Sequence, residues 1–490
     1  MRSNIASIQR RSECLERRYG LASASQIAAL VMKKLVTALA CVAFTCPAVA
    51  NPGPPPTLEA RADLALEADT MAWGFVEGIT TEVGPRQAGT EAEKRGRDWA
   101  MQWLRNAGFE NVADEPFDMQ TWVPGSVHKA EVVNPYPQPL VVQPLGGSAS
   151  TGPEGVTAEV IYFPSIADLQ AAPDGSLAGK IAFVSHAMTP TQDGSHYGYF
   201  GAARFVGPGL AAQKGAVAIV IKSIGTDYHR NPHTGVIRFP EGVAPIPAGA
   251  LSLPDAANLE RMFQRASGAP ITLKLTLTPR SLGTTTSGNV VGEIVGRDPS
   301  LPPVLVACHI DSWWNAPGAF DDGAGCGIVA AAARLAGLGD QRLRTIRVLM
   351  AGAEEVGLFG SVAYSEAHID EPIAVALESD FGADRIWRFE SNFRESNPDL
   401  HNRLAASVAR FGVSNSTIVA SGGADINIAR DQGTAIIDLQ QDGTRYFDLH
   451  HTPDDTLDKI DKAQLRQNVA VWTQVVGILA NEPKNIQTGQ

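Results

Sequence analysis

The second half of the chain alternates short, nearly continuous apolar segments with segments of helical pattern, and this alternation limits the available folds more than any other feature. The apolar segments are rich in β-branched residues and comprise 289–295, 304–310, 345–351, 373–380 and 434–439. Helical patterns lie between them, for example at 323–338 and 399–410. Buried strands that alternate with helices predict an α/β domain, with helices on both faces of a mostly parallel central sheet.

Residues 136–285 interrupt this domain with a different pattern. Short apolar segments are separated there by Gly and Pro turns, and only 207–214 has a clear helical pattern. These features predict a small β-rich module. We therefore predict that the module is inserted between two parts of one domain, which span 57–135 and 286–482.

Residues 1–50 contain the pattern of a secretory signal. Two lysines follow Met32, the segment 35–44 is apolar, and a small-residue motif ends at Ala50. We predict cleavage after Ala50, a true start at Met32 because 1–31 fits a signal poorly, and a periplasmic or secreted protein. The alternative is an N-terminal membrane anchor, but the apolar segment is shorter than the roughly 20 residues of a spanning helix. We therefore expect no membrane attachment after cleavage.

The charge and the cysteines of the chain limit its partners and its covalent links. A formal net charge of -12 over 490 residues, without a basic stripe, argues against a nucleic-acid partner. Three of the five cysteines precede Ala50. We expect the other two, Cys308 and Cys326, to be small buried apolar residues rather than a redox pair, because a domain of this size can be stable without disulfides.

Acidic and imidazole side chains follow the later strands or open the next helix. They are His309, Asp311, Asp321, Asp322, Glu354, Glu355, Asp380, His450 and His451. Because ligands of such sheets collect at the carboxyl ends of the strands, we expect these side chains to converge on one edge. Concentrating so many carboxylates is costly unless cations neutralise them, and a mixed imidazole and carboxylate set suits zinc. The sequence therefore predicts a zinc site at this edge.

The order and spacing of these motifs resemble the two-zinc exopeptidases, which include bacterial zinc aminopeptidases, glutamate carboxypeptidase and carboxypeptidase Q. The motifs are His-x-Asp at 309–311, Asp-Asp-Gly at 321–323, Glu-Glu at 354–355, the strand-end Asp380, and His-Thr-x-x-Asp-Thr at 451–456. The residues at 309–313 are most similar to carboxypeptidase Q, and 177–181 makes the inserted module similar to a protease-associated domain. The resemblance implies a zinc-exopeptidase fold and two Zn²⁺ ions per chain.

The resemblance also implies which residues hold the metals. His309 and Asp380 would hold one zinc ion. Glu355 and His451 would hold the other. Asp321 would bridge the two ions, so that five side chains form one paired site.

The resemblance also implies roles for two further residues that lie beside the metal ligands. Glu354 would be the general base, which takes a proton from a water between the metals and passes it to the leaving amine. Asp311 would orient His309 from behind. His450 would lie outside the ligand set, because His451 is the histidine directly before Thr-x-x-Asp-Thr.

The leading functional prediction is a metallo-exopeptidase that acts on short peptides as an aminopeptidase, carboxypeptidase or dipeptidase. A two-zinc amidohydrolase or a glutaminyl-cyclase-like enzyme, acting on a non-peptide amide, remains an alternative. A non-catalytic binding protein, which the transferrin receptor exemplifies in this fold, is disfavoured because every predicted ligand and Glu354 are present. The terminus that must be free, and the formation of a homodimer, stay open.

Three weaker patterns have two interpretations each. The loop at 421–425 is either a turn, as glycine pairs usually are, or a wall of the substrate pocket. Trp313 and Trp314 either line that pocket, which a double Trp in a loop favours, or belong to the core. His229 and His233 are four residues apart, but they flank an Asn-Pro loop, so we do not expect a third metal site there.

Overall fold

Two mixed β-sheets and the helices packed on them make up the fold, as seen in a computed structural model that describes residues 56–339 and 342–486. The predicted signal segment, 1–50, lies outside the described residues. In the described part of the chain, no helix has the length and hydropathy needed to cross a bilayer.

The strands and helices follow in chain order. The strands are β1 (Glu110–Val123), β2 (His128–Asn134), β3 (Gln138–Leu140), β4 (Val142–Pro144), β5 (Val156–Phe163), β6 (Ile181–Val184), β7 (Ala218–Lys222), β8 (Ala248–Leu251), β9 (Thr272–Leu277), β10 (Arg280–Ile294), β11 (Val304–His309), β12 (Ile346–Ala351), β13 (Val375–Glu378), β14 (Ile386–Ser391), β15 (Ser414–Asn415) and β16 (Ala435–Gln441). The α-helices are α1 (Leu58–Ala68), α2 (Met71–Gly78), α3 (Glu91–Asn106), α4 (Ile166–Ala171), α5 (Ser195–Phe200), α6 (Ala202–Phe205), α7 (Gly207–Gln213), α8 (Leu253–Ala266), α9 (Ala324–Ala336), α10 (Phe359–Ala367), α11 (Pro398–Val408), α12 (Asn427–Asp431), α13 (Tyr446–Leu449) and α14 (Lys462–Ala480).

The first sheet contains the strands at whose carboxyl ends the zinc site is predicted. Its eight strands lie in the order β1-β10-β12-β11-β13-β16-β14-β15. The four central strands β12, β11, β13 and β16 are parallel to one another. Antiparallel pairs flank them, formed by β1, β10 and β14. These central strands are the apolar segments that alternate with helices in the sequence, so the predicted α/β fold is confirmed.

Helices cover both faces of this sheet. Successive side chains of a strand point to opposite faces, and in β11 the side chains of Val304 and Val306 belong to the main core, under α9 and α14. The side chains of Leu305 and Ala307 belong to a second core on the opposite face, together with Tyr364 of α10. The central strands are therefore buried on both sides, which explains why they are apolar at consecutive positions.

The second sheet lies between β1 and β10 in the sequence, and its strands run from His128 to Leu277, whereas the predicted insertion spans 136–285. Its order is β3-β2-β9-β5-β6-β7-β8-β4, and β5 to β8 are parallel neighbours. We call residues 128–277 the module. The module is more helical than the sequence pattern indicates, since α8 runs over fourteen residues. The Ser252 side chain caps that helix by accepting a hydrogen bond from the Asp255 backbone N–H at 3.3 Å.

The expectation for the two cysteines was wrong. Cys308 is on β11 and Cys326 is on α9, and the two form a disulfide with a Cα–Cα separation of 5.2 Å. Helix α9 packs directly over β11, which brings the two side chains together in the main core. Burial was predicted correctly, but packing of one element on the other supplied a partner that the sequence pattern did not reveal.

Candidate metal centre

The predicted site residues meet at the carboxyl ends of the central parallel strands. His309 is the last residue of β11 and pairs in register with Ala351, the last residue of β12. Glu354 and Glu355 follow β12, and Asp380 follows β13. Asp321 comes from the loop that leads into α9, and His451 comes from the loop after α13. The strand edge thus brings together all five predicted ligands and the predicted base.

Asp321 lies at the centre of this cluster. One of its oxygens, Oδ1, is 3.0 Å from His309 Nε2. The other, Oδ2, is 3.5 Å from His451 Nε2 and 3.4 Å from Nε2 of the neighbouring His450. His309 Nε2 is also 3.4 Å from Asp380 Oδ1. The Nε2 atom of His451 contacts a carboxylate oxygen of Glu355. The contacts therefore divide the side chains into a His309 and Asp380 group and a Glu355 and His451 group, with the Asp321 carboxylate facing both.

Asp311 supports both His309 and Glu354. The backbone carbonyl of Asp311 accepts a hydrogen bond from His309 Nδ1 at 3.1 Å, and its carboxylate Oδ1 lies 3.7 Å from the same nitrogen. Because a carbonyl can only accept, Nδ1 carries a proton, and Nε2 is the nitrogen that faces the Asp321 and Asp380 carboxylates. The carboxylate of Asp311 accepts a hydrogen bond from the Glu354 backbone N–H at 3.1 Å. Asp311 thus links the first ligand motif to the Glu-Glu loop.

Three other residues, to which the sequence analysis gave no role, fix the loop that carries Asp321. Asp455 accepts hydrogen bonds from the backbone N–H groups of Phe320 and Asp321, at 2.5 and 3.1 Å. Asp322, joined to Asp321 by a cis peptide bond, accepts from the His309 backbone N–H at 3.2 Å. Arg86 is fully buried beneath the loop, and its guanidinium donates to the Ile310 and Gly318 carbonyls. Asp322 and Asp455 belong to the Asp-Asp-Gly and Thr-x-x-Asp-Thr motifs, and Arg86 directly follows the Gly-Pro pair at 84–85.

Burial makes the cluster electrostatically unfavourable without cations. Burial raises the pKa of Glu355 well above its ordinary value, and the Asp321 carboxylate raises it further. Burial also raises the pKa of Asp380. Carboxylate oxygens of Asp321, Glu355 and Asp380 are buried without a hydrogen-bond partner among the described residues. Buried polar atoms are rarely left unpaired, so these oxygens fit metal ligands.

The donor set also fits zinc by type and spacing. Ligand atoms of His309, Asp321 and Glu355 lie within 4.8 Å of one another, and those of His309 and Asp380 lie equally close together, beside the predicted base Glu354. Burial lowers the pKa of His451 to about 4, so the imidazole is neutral near pH 7 and can offer a lone pair. Imidazole nitrogens with carboxylate oxygens are common zinc ligands. The residues present therefore fit a zinc centre.

A cavity of about 350 Å³ opens beside the cluster. Its floor includes Asp321, Asp380 and the half-buried Glu354. The residues that the module contributes to its wall are Tyr197, Arg204, Phe205, Val236 and Arg238. The cavity therefore lies between the two sheets, and the module forms part of its lining.

The weaker predictions have different outcomes. Ser421, Gly422 and Gly423 line a neighbouring cavity that shares Asp380, which supports the interpretation of this loop as a pocket wall. Trp313 is only 2% exposed, and its ring stacks on the His451 ring at 4.9 Å between centroids. The predicted position of Trp313 in the pocket wall was wrong, because the ring packs against His451 and does not line the cavity.

The module contributes one histidine beside the predicted ligands. His233 Nε2 is 2.8 Å from Nδ1 of His450, and the rings of His450 and His451 are stacked at 3.7 Å between centroids. His229, by contrast, contacts Asp454 at 3.0 Å and lies outside this group. No pattern in the sequence connected His233 to the site, because the two segments are more than two hundred positions apart.

The imidazole and carboxylate cluster fits a metal centre, and comparisons with known proteins identify the chain as a metallo-exopeptidase, as the sequence predicted. The model of peptidase family M28 matches residues 289–476. Carboxypeptidase Q of Bos taurus is 31% identical over 407 residues, which cover 82% of this chain and 84% of that protein. The solved peptidase M28 precursor from Shewanella amazonensis SB2B is 41% identical with a TM-score of 0.83, and the match covers 87% of this chain and 97% of that chain. The chain belongs to peptidase family M28, which confirms the predicted resemblance.

A more distant structure agrees in fold. The aminopeptidase from Aneurinibacillus sp. strain AM-1 is 21% identical with a TM-score of 0.58, and the match covers 87% of this chain and 97% of that chain. The likeness at this identity concerns the fold alone. It extends over the module as well as the first sheet, because most of both chains is covered.

Proposed function

We propose that this chain is a zinc-dependent exopeptidase that hydrolyses short peptides at a two-zinc site. His309 and Asp380 would hold one ion, Glu355 and His451 the other, and Asp321 both. The position of Asp321 is the observation that carries the proposal, since its two oxygens face the two imidazoles separately. A single carboxylate whose two oxygens face separate imidazole rings in this way suits a pair of cations rather than one.

Glu354 is the proposed general base. When bound, zinc would polarise the scissile carbonyl and lower the pKa of the attacking water. The Glu354 carboxylate is half-buried at the cavity floor, and hydrogen bonding to Asp311 fixes its backbone. It accepts a proton from the water and returns the proton to the leaving amine.

The backbone before the Glu-Glu pair lets the two carboxylates take different tasks. Ala353 has a φ of 58°, in the left-handed region, so the chain turns sharply directly after β12. Glu355 then lies buried against His451, while Glu354 remains half-buried at the cavity. This division supports Glu355 as a ligand and Glu354 as the base.

The cavity wall favours a substrate with a free carboxylate. Arg204 and Arg238 of the module both line it. The side chain of Arg238 is exposed, and its guanidinium makes no hydrogen bond or ion pair within the described part of the chain. A guanidinium binds a carboxylate through paired N–H donors. A peptide whose scissile carbonyl faces Glu354 would direct its carboxyl end towards this wall, as suits the activity in the name of carboxypeptidase Q.

A panel of dipeptides and blocked dipeptides, assayed with zinc-loaded protein, tests the proposal. We expect hydrolysis of free dipeptides and weaker hydrolysis when the carboxyl end is amidated. Cleavage of acyl amides with no peptide bond, or cyclisation of an N-terminal glutamine, would instead support the amidohydrolase or glutaminyl-cyclase alternative. Binding of peptides without any turnover would support a non-catalytic protein.

The location and assembly of the protein are also proposals. We infer a periplasmic or secreted protein, since residues 32–50 have the pattern of a cleaved signal. Fractionation of cells and N-terminal sequencing of the mature protein would test cleavage after Ala50. Sedimentation of the purified protein would decide between a monomer and a homodimer.

A further inference from the structure

We propose that residues 233–235 of the module are a positioning element of the metal centre, so that metal binding by His451 depends on the module. The Thr234 carbonyl would fix the ring of His451 in the tautomer that leaves Nε2 free for zinc. This inference rests on the proposed function in one respect, the role of His451 as a ligand. It adds a role for the module that is separate from lining the cavity.

The hydrogen bond from His451 to Thr234 sets the tautomer. His451 Nδ1 lies 3.1 Å from the Thr234 carbonyl oxygen. A carbonyl oxygen only accepts, so the proton is on Nδ1 and the lone pair is on Nε2. Nε2 is the atom that faces Asp321 and Glu355. The Asp311 carbonyl accepts the corresponding hydrogen bond from Nδ1 of His309. Asp311, however, belongs to the peptidase domain and not to the module.

The Thr234 carbonyl is itself held firmly in place. Arg204 donates a hydrogen bond to it from Nη1 at 2.7 Å. The Thr234 hydroxyl accepts a hydrogen bond from Trp313 Nε1 at 2.5 Å. Thr234 is fully buried, and Arg204 and Trp313 are each only 2% exposed. Side chains with N–H donors are seldom buried without a partner, and here two of them donate to a single residue, Thr234.

The His451 backbone needs such support. Its φ is 56°, a left-handed conformation that is unfavourable for a residue with a side chain. The His451 carbonyl accepts hydrogen bonds from Asn315 Nδ2 at 3.0 Å and from the Thr234 backbone N–H at 3.4 Å. The His451 ring is nearly parallel to the rings of Trp313 and His233, at 4.9 and 5.4 Å between centroids, and it also stacks on the His450 ring. Contacts with the segment 233–235 and with Trp313 therefore fix both the backbone and the ring of this residue.

Gly235 leaves no room for a side chain at this position. A Cβ atom added there would lie 1.9 Å from Arg204 Nη1 and 2.9 Å from His451 Nδ1. Both distances are too short for real contacts, so Gly235→Ala must displace one or both of these groups. The φ of Gly235 is 144°, and Gly242 provides a matched control with a φ of 79° and open space around its Cβ position. Both glycines lie in the module, but only Gly235 faces the metal centre.

Zinc titration of the metal-free protein, in competition with a chromophoric chelator, tests the proposal. Wild type should bind two ions. We expect Gly235→Ala to bind one of them at least about tenfold more weakly, which is the usual effect of disturbing a group behind a metal ligand. The other ion should bind as it does in wild type, and the melting temperature of the metal-free protein shows whether the variant folds. Gly242→Ala should keep both affinities within about twofold.

A second variant decides the matter if Gly235→Ala does not fold. Thr234→Val keeps the shape of the side chain and removes the hydroxyl that Trp313 holds, so it should weaken one ion several-fold. Unchanged zinc affinity in every folded variant would overturn the inference. Equal weakening of both ions, or the same loss in Gly242→Ala, would also overturn it. If wild type binds fewer than two ions, the proposed function fails instead, so the two failures are distinguishable.

Discussion

Glu93 provides a test of the electrostatics away from the metals. It is fully buried at the start of α3, where its carboxylate accepts a hydrogen bond from the Gly89 backbone N–H at 2.7 Å and another from the Ser287 hydroxyl. Burial, with the nearby Asp311 carboxylate, raises its pKa from 4.5 to about 8. Between these two values the folded chain holds a proton on Glu93 that the unfolded chain has lost.

The stability from this proton is therefore fully present below pH 4.5 and is lost as the pH rises towards 8. The free energy of unfolding should fall by about 1.4 kcal/mol for each pH unit in this window. Between pH 5.5 and 7.5, two units, the loss amounts to roughly 2 to 3 kcal/mol. Glu93→Gln keeps an oxygen acceptor for the Gly89 N–H but cannot titrate, so it should remove this slope.

Urea unfolding of wild type and Glu93→Gln, at equal zinc load and at several pH values, measures how their free energies of unfolding differ. The variant should gain roughly 2 to 3 kcal/mol over wild type between pH 5.5 and 7.5. Metal-linked pH effects are common to both proteins and cancel. Glu91→Gln makes the same change at an exposed position in the same helical turn and should show no comparable gain. A difference between wild type and Glu93→Gln that stays constant over this range would refute the reasoning.

Two further predictions concern the site. Asp321→Ala should reduce the zinc content at both positions, and by more than His309→Ala does, because loss of the shared carboxylate leaves two cations repelling each other. Metal analysis of the purified variants measures this. Full zinc content in Asp321→Ala would contradict the bridging role. Arg238→Ala should raise KM about tenfold for peptides with a free carboxyl end, the scale of one hydrogen bond to a charged group, and have little effect on amidated ones. Arg265→Ala, an exposed arginine of the module outside the cavity, is the control, and equal effects on both peptide classes would argue against carboxylate recognition.

The sequence predicted most of the first sheet because its signals are local. Val304 to Cys308 are buried on both faces of the sheet, so the segment is apolar at every position. Each of the central strands that lead into the site is followed by a polar motif, and parallel pairing brings these motifs to one edge. That is why His309, Asp321, Glu355, Asp380 and His451 could be predicted to meet. Their exact contacts, such as Asp311 acting on His309 through its carbonyl, depend on loop geometry that a residue pattern does not specify.

The features that the sequence analysis missed depend on packing between distant segments. Cys308 and Cys326 meet because α9 packs on β11, and Trp313 is buried because the module packs against it. Thr234 reaches His451 across 217 positions of sequence. Nothing in the spacing of apolar or polar residues specifies such a contact. For α8, the capping signal of Ser252 and Asp255 was present, but the neighbouring proline is also typical of a turn.

The division of roles between Glu354 and Glu355 is the most direct test of the proposed mechanism. Zinc content and turnover should be measured together for Glu354→Gln and Glu355→Ala. Glu354→Gln should keep both zinc ions and lose turnover by roughly 100-fold or more, because the amide can hydrogen-bond the water but cannot accept its proton. Glu355→Ala should lose zinc as well as activity. Turnover within a few-fold of wild type in Glu354→Gln, with its zinc intact, would contradict the account.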